Sequence, residues 1–250
     1  MFRKKKAGFP LRLERRSFQP ARSVKHMRVC VLYSGGKDSN LALLKAHDVF
    51  DVACLVTISP RSEESCLFHY PNTEIVRLQA ESLGLPLVSE RCSDDETSSL
   101  KALRKALKNA IDFYGIEGVV TGAIKSTYQA TRFQRICDEL DLWCFNPLWL
   151  REEISLLKEA LDLGFEIVFT RVAGYPLDRS VLGKRLTKDT VKMLGDVRKY
   201  LNPSGEGGEY ETLVLDMPLF KKKLKIVKFN VIGRNYDATL IVKKAVLVEK

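Results

Sequence analysis

The chain has 250 residues, 45% of them apolar, which is enough for one large or two small domains that bury a core without staples. A net charge of +10 points by itself to nucleic acid, but +8 of it lies in residues 1–26, leaving only +2 for residues 27–250. No stretch reaches the length of a membrane-spanning helix, and six scattered cysteines (Cys30, Cys54, Cys66, Cys92, Cys137, Cys144) show neither a CxxC nor a zinc spacing, so membrane, zinc and disulfide-scaffold classes are set aside. A cytoplasmic protein with buried, reduced thiols is expected.

Residues 1–26 hold nine Lys or Arg against the single acid Glu14 and lack a helical or strand period. They read as a basic, flexible extension, either an upstream-start artefact or a dispensable tail, with a transit peptide or an RNA-binding arm as the less favoured readings. From Met27 the pattern is regular. Arg28 to Tyr33 is an apolar run suited to a buried parallel strand, and Leu41, Ala42, Leu43, Leu44 and Ala46 suit a helix laid on that sheet. Between them stands Ser34-Gly35-Gly36-Lys37-Asp38-Ser39. Two glycines allow backbone N–H groups to converge on an anion, and the helix behind adds the positive end of its dipole. Lys37 contributes a full charge, Ser34 and Ser39 contribute hydroxyls, and Asp38 either caps the helix or holds magnesium. A bare Gly-Gly turn with a capping acid is the plainer alternative. A Walker A loop is excluded, because GxxxxGK[ST] is absent.

This hexapeptide after a strand resembles the PP-loop of the ATP pyrophosphatases, which cut ATP between its α- and β-phosphates and transfer AMP to an oxygen of the substrate. The resemblance implies that the loop holds the departing pyrophosphate.

Asp51 to Ser59 predicts a second strand, so the strand–helix–strand order gives a right-handed parallel crossover and a doubly wound α/β sheet that binds nucleotide at the C-terminal strand edge. The segment Arg61 to Asn72 should lie at that edge, and a helix over Thr73 to Leu83 follows. His69 reads as an ordinary loop histidine or as a nucleotide contact; a Phe-His pair followed by Asn and then Gln79-Ala80-Glu81 recurs in the resembled group and raises the second reading. Pro86 to Glu90 predicts a third strand, Thr97 to Tyr114 a long helix with a core stripe of Leu100, Leu103, Leu107 and Ile111, and Gly118 to Ala123 a fourth strand.

Gly122, Ala123, Tyr128, Gln129 and Arg132 form a second dense stretch. A strand ending in Gly before a polar helix start offers N–H groups to an anion, and Arg132 can reach phosphate bidentately. By spacing alone, Arg132 and Arg135 pairing with Asp138 or Glu139 is the simpler reading. The resemblance reverses that order. GAI-x-S-x-YQ-x-x-R, with Cys137 and Pro147-Leu148-Trp149 after it, is similar to the second motif of the diphthine–ammonia ligase family, and the likeness covers Met27 to Phe220.

Beyond residue 149 a smaller α+β domain is expected over 150–250, after a PP-loop domain over 27–149. It should hold a helix at Glu152 to Leu163, a strand at Glu166 to Val172, a helix at Thr187 to Leu201, and an antiparallel hairpin at Asn230 to Lys250. Glu206, Glu209 and Glu211 crowd one Gly-rich stretch, where three carboxylates are costly to gather unless something positive is bound. A solvated turn is the plain alternative; the family's G-E-x-G-E-[FY]-x-T motif favours a site.

The resemblance implies that ATP adenylates the carboxylate of diphthine on translation elongation factor two, and that ammonia then displaces AMP. Lys37, the loop amides, Arg132 and Mg2+ would stabilise pyrophosphate. The acid cluster would attract ammonium and take its proton, or hold magnesium. Because diphthine carries a trimethylammonium, Tyr128, Trp149 and Tyr210 are expected to form an aromatic box, with Gln129 beside them. No glutaminase segment is visible, so free ammonium is the expected donor. The rivals are a PP-loop enzyme acting on tRNA, with nucleic acid held through residues 1–26, and a non-catalytic nucleotide sensor.

Overall fold

A computed structural model of the chain describes residues 27–60, 73–93 and 95–250. Its first half is a five-stranded parallel sheet built from β1 (Arg28–Leu32), β2 (Asp51–Pro60), β3 (Leu87–Cys92), β4 (Gly118–Val120) and β5 (Trp143–Phe145). The order β3-β2-β1-β4-β5 means that the chain winds one way from β1 and returns to the other side through β4. The crevice between β1 and β4 is therefore the switch point at which such sheets bind ligands. Five helices cover the sheet and lead away from it: α1 (Lys37–His47), α2 (Thr73–Leu83), α3 (Glu96–Tyr114), α4 (Thr127–Glu139) and α5 (Glu153–Asp162).

The second half is an antiparallel sheet of β6 (Glu166–Ala173), β7 (Tyr210–Asp216), β8 (Lys223–Arg234) and β9 (Asp237–Val248), in the order β7-β6-β9-β8, with α6 (Lys188–Asp196) beside it. One buried cluster runs through both halves, from Val31 and Leu43 through Leu156 and Ile167 to Val172 and Val214. Non-directional burial of this kind fixes β7 against the start of α1, and that contact shapes the site.

Several boundaries differ from expectation for physical reasons. The fourth strand stops at Val120, because Gly122 turns away to lie against the backbone of α1. The helix expected to run to Leu201 ends at Asp196, and the chain turns there to deliver the Gly-rich loop. The final hairpin begins at Lys223 rather than Asn230, since the outer face of β8 is so exposed and lysine-rich that its alternation is weak in sequence. Among the described residues, no helix is long and apolar enough to cross a membrane.

Candidate active site

At the C-terminal ends of β1 and β4 lies a cavity of about 210 Å³, lined by Ser34, Gly36, Lys37, Asp38 and Ser39 from one side, and by Gly122, Ala123 and Gln129 from another. Ser204, Gly205, Glu206, Tyr210, Glu211 and Thr212 complete it from the second half of the chain. The two dense stretches of sequence and the Gly-rich acidic stretch thus meet at one place.

The PP-loop is formed by its own polar atoms. Gly35 has φ +82, a left-handed conformation that glycine adopts without strain. Helix α1 begins after Gly36 with no side-chain cap, which leaves its first donors for an anion. Hydroxyls hold these donors loosely: Gly36 N–H donates to Ser34 Oγ at 3.4 Å and Lys37 N–H to Thr212 Oγ1 at 3.2 Å. Asn40, which the sequence reading passed over, is fully buried; it donates to the Gly36 carbonyl at 2.9 Å and accepts from the Tyr33 hydroxyl at 2.7 Å. An Asn within an apolar helix face was the available signal.

Lys37 is the buried cation of the site, its side chain 6% exposed. Its Nζ donates to Asp38 Oδ2 at 2.8 Å and to the Ser204 carbonyl, and lies 5.3 Å from the centre of the Tyr210 ring. Gln79 ties the loop to β7. Its Nε2 donates to the carbonyls of Gly35 (3.1 Å) and Val214 (2.8 Å), while Val214 N–H returns a bond to Gly35 at 3.1 Å. Replacing Gln79 with Leu removes the amide that serves two buried carbonyls, and is expected to lower unfolding stability by about 1–3 kcal/mol in urea titration.

The three glutamates do not converge. Glu206 lays its carboxylate on the backbone N–H groups of Ile124 (2.8 Å), Lys125 (2.8 Å) and Ser126 (3.1 Å). Glu209 is absent from the cavity wall and closes its own loop, accepting from Asn202 N–H at 2.9 Å, with its second oxygen buried and unpartnered among the described residues. Glu211 stands on the cavity wall from β7, paired in register with Arg171, and of the other two only Glu206 also lines the cavity. Local donors, rather than one shared cation, account for the first two acids.

Arg132 also departs from expectation. Its Nε donates to Glu96 Oε1, its guanidinium lies 3.4 Å from the centre of the Tyr128 ring, and Tyr128 Oη donates to Glu96 at 2.7 Å. Bonds from Arg132 and then Tyr128 hold the Glu96 carboxyl below its ordinary range. Neither Arg132 nor Tyr128 lines the cavity, and neither does half-buried Trp149. Tyr210 does line it, but is buried, with its hydroxyl donating to the Pro203 carbonyl. The expected aromatic box is thus not assembled in this structure, because Tyr128 is taken by Arg132 and Glu96 and Tyr210 by its own loop. Gly122 meets the cavity as a packing residue, and Ala123 N–H donates to Thr121 Oγ1 at 3.2 Å. His69 and Cys66 lie outside the described residues.

Among the described residues, no cysteine lines the cavity. Cys30, Cys54, Cys92 and Cys137 are free and buried, and burial pushes the Cys54 thiol up to about 12.

Residues 27–143 match the family model for the diphthamide synthase N-terminal domain, and residues 152–248 match that for its C-terminal domain. The chain belongs to the diphthamide synthase family. It is 34% identical over 236 residues to the rat protein named diphthine–ammonia ligase, covering 85% of this chain and 87% of that one. To the fission yeast (Schizosaccharomyces pombe) protein of the same name it is 36% identical over 227 residues, covering 82% of this chain but 37% of the relative, so it spans about a third of that longer protein. A solved chain described as a predicted subunit of tRNA methyltransferase from Methanocaldococcus jannaschii overlays with a TM-score of 0.43 at 16% identity, over 77% of this chain and 98% of that one. The two matched ranges correspond to the two sheets of the fold, residues 27–143 to the parallel sheet and residues 152–248 to the antiparallel one.

Proposed function

We propose that this protein catalyses ATP-dependent amidation of diphthine on translation elongation factor two, through an acyl adenylate, with ammonium as nitrogen donor and AMP and pyrophosphate as products. The observation that carries the reading is buried Lys37, set beside the first-turn amides of α1 at the switch point of the sheet, in a chain whose relatives are named for this reaction.

A carboxylate resists attack by ammonia because its leaving group is a strongly basic oxide; adenylation replaces that group with AMP. The oxygen of diphthine attacks the α-phosphorus, and the bond to the β-phosphate breaks with its electron pair going to pyrophosphate. In this reading the N–H groups of Gly36, Lys37 and Asp38, with Lys37 Nζ and the hydroxyls of Ser34 and Ser39, take that charge. The long bonds to Ser34 and Thr212 are ones that phosphate oxygens can replace.

Among the described residues no group of three acids, histidines or cysteines is gathered to hold a metal. Magnesium carried on nucleotide phosphates needs only one or two carboxylates. Asp38, a third exposed at the cavity, is the residue that would meet it; when bound, the ion supplies charge neutralisation. For the second step we assign ammonium capture and proton acceptance to Glu211, the acid on the cavity wall of β7. Free thiols throughout the described cysteines suit a cytoplasmic setting.

The reading is tested by the nucleotide product. AMP and pyrophosphate should accumulate only when ATP, ammonium and the diphthine-bearing factor are all present. AMP released with tRNA in place of the factor would move the assignment to nucleic acid, and ATP surviving with every acceptor would leave only nucleotide binding.

A further inference from the structure

In the segment from Asn202 to Glu209, residues Ser204, Gly205 and Glu206 line the cavity, and the segment is anchored to residues on two of its sides. On one bank the Ser204 carbonyl accepts from Lys37 Nζ. On the other, Glu206 Oε1 accepts from the N–H groups of Ile124, Lys125 and Ser126 at 2.8, 2.8 and 3.1 Å, and Oε2 accepts from Lys125 N–H at 2.8 Å. These three amides lie between β4 and α4, about 80 residues earlier in the chain. The loop between the anchors is held in shape by its own bonds: Gly205 N–H to Asn202 O at 2.9 Å, Gly208 N–H to Gly205 O at 3.0 Å, and Asn202 N–H to Glu209 Oε1 at 2.9 Å. Tyr210 fastens its end through the bond to Pro203.

We infer that Glu206 is a positioning residue: its carboxylate latches the 202–209 loop across the nucleotide cavity and so keeps water from the activated intermediate. The chemistry of the latch is favourable, since an ionised carboxylate receiving several N–H bonds at the positive end of a helix makes stronger bonds than a neutral acceptor does. The side chain of Lys125 takes no part, as its Nζ pairs with Glu153 at 2.6 Å.

The inference rests on the acyl-adenylate reading, for which an open cavity has a defined cost. Water attacks the acyl carbon, a new carbon–oxygen bond forms, and the bond from that carbon to the phosphate oxygen breaks with its electron pair leaving on AMP. The proton goes to solvent and the carboxylate is regenerated. ATP is then consumed without amide formation.

The test compares wild type with Glu206→Gln, which keeps the shape but loses the charge, and Glu206→Ala, which removes the acceptor. Two quantities are read: AMP released per amide formed, and hydrogen exchange at the amides of residues 124–126. Losing charge-assisted bonds should open the latch about tenfold more often, so both the ratio and the exchange rates rise about tenfold in Glu206→Gln and further in Glu206→Ala. Faster exchange with an unchanged ratio would overturn the shielding role. Unchanged exchange in Glu206→Ala would overturn the latch itself. A wild-type enzyme that makes no amide from any acceptor removes the amidation reading, and in that case the exchange data still decide whether the loop is latched by Glu206.

Discussion

Lys37→Ala is expected to lower AMP formation by about a hundred- to a thousandfold, the effect of deleting one preorganised donor from developing transition-state charge. The side chain has no substitute, since the nearest other groups at its Nζ are the Asp38 carboxylate, the Ser204 carbonyl and the face of the Tyr210 ring. Loss of the cation should not unfold the protein: Asp38 is a third exposed and can be solvated. Lys37→Met separates charge from packing. Its stem fills the same space beside Tyr210, so a normal denaturation midpoint together with the same loss of pyrophosphate release is expected. Activity within threefold of wild type in both variants would show that the loop amides suffice without the lysine.

Gly122→Ala should be nearly as damaging for a different reason. A Cβ there would stand 2.9 Å from the Asp38 carbonyl carbon, 3.0 Å from Ser39 N and 3.1 Å from the Asp38 carbonyl oxygen. These are backbone atoms in the first turn of α1, so no rotamer change relieves the contact and the helix start has to move. Overpacking of this kind costs about 1–3 kcal/mol of stability. Because the displaced turn carries the phosphate-facing amides, ATP affinity should fall about tenfold or more. Urea unfolding and nucleotide titration measure the two effects. An alanine variant with unaltered ATP affinity would mean that the close approach of Gly122 to α1 does not set the loop.

The parts of this site that depend on one continuous stretch were legible in the sequence. Strand, two glycines, lysine and helix follow directly in Ser34 to Ser39, and the order of apolar runs dictated the parallel sheet and its switch point. Gln79 and Thr212 were visible only as members of matched motifs, because their role is to join the PP-loop to a strand more than 130 residues away. The acidic stretch shows the limit most clearly. Counting carboxylates predicts repulsion and a shared cation, yet the fold supplies Glu206 with three amides and Glu209 with a fourth, while Glu211 stands on the cavity wall of β7. Charge density alone carries no information about such donors. The aromatic residues fail in the same way: Tyr128, Trp149 and Tyr210 share motifs, but Arg132 and Glu96 engage the first and Pro203 the third. Helical spacing foresaw the Arg135–Glu139 pair, whereas Arg132 takes Glu96 on α3 rather than an acid one turn later.

The most direct test of the whole account follows the nitrogen. Isotopically labelled ammonium is supplied with ATP and elongation factor two carrying diphthine, and the modified residue is examined by mass spectrometry. Label should enter that residue only in the presence of ATP, with one AMP released for each amide formed, and Lys37→Ala should abolish both. AMP formation without label in the factor, or label entering without ATP, would contradict amidation through an adenylate.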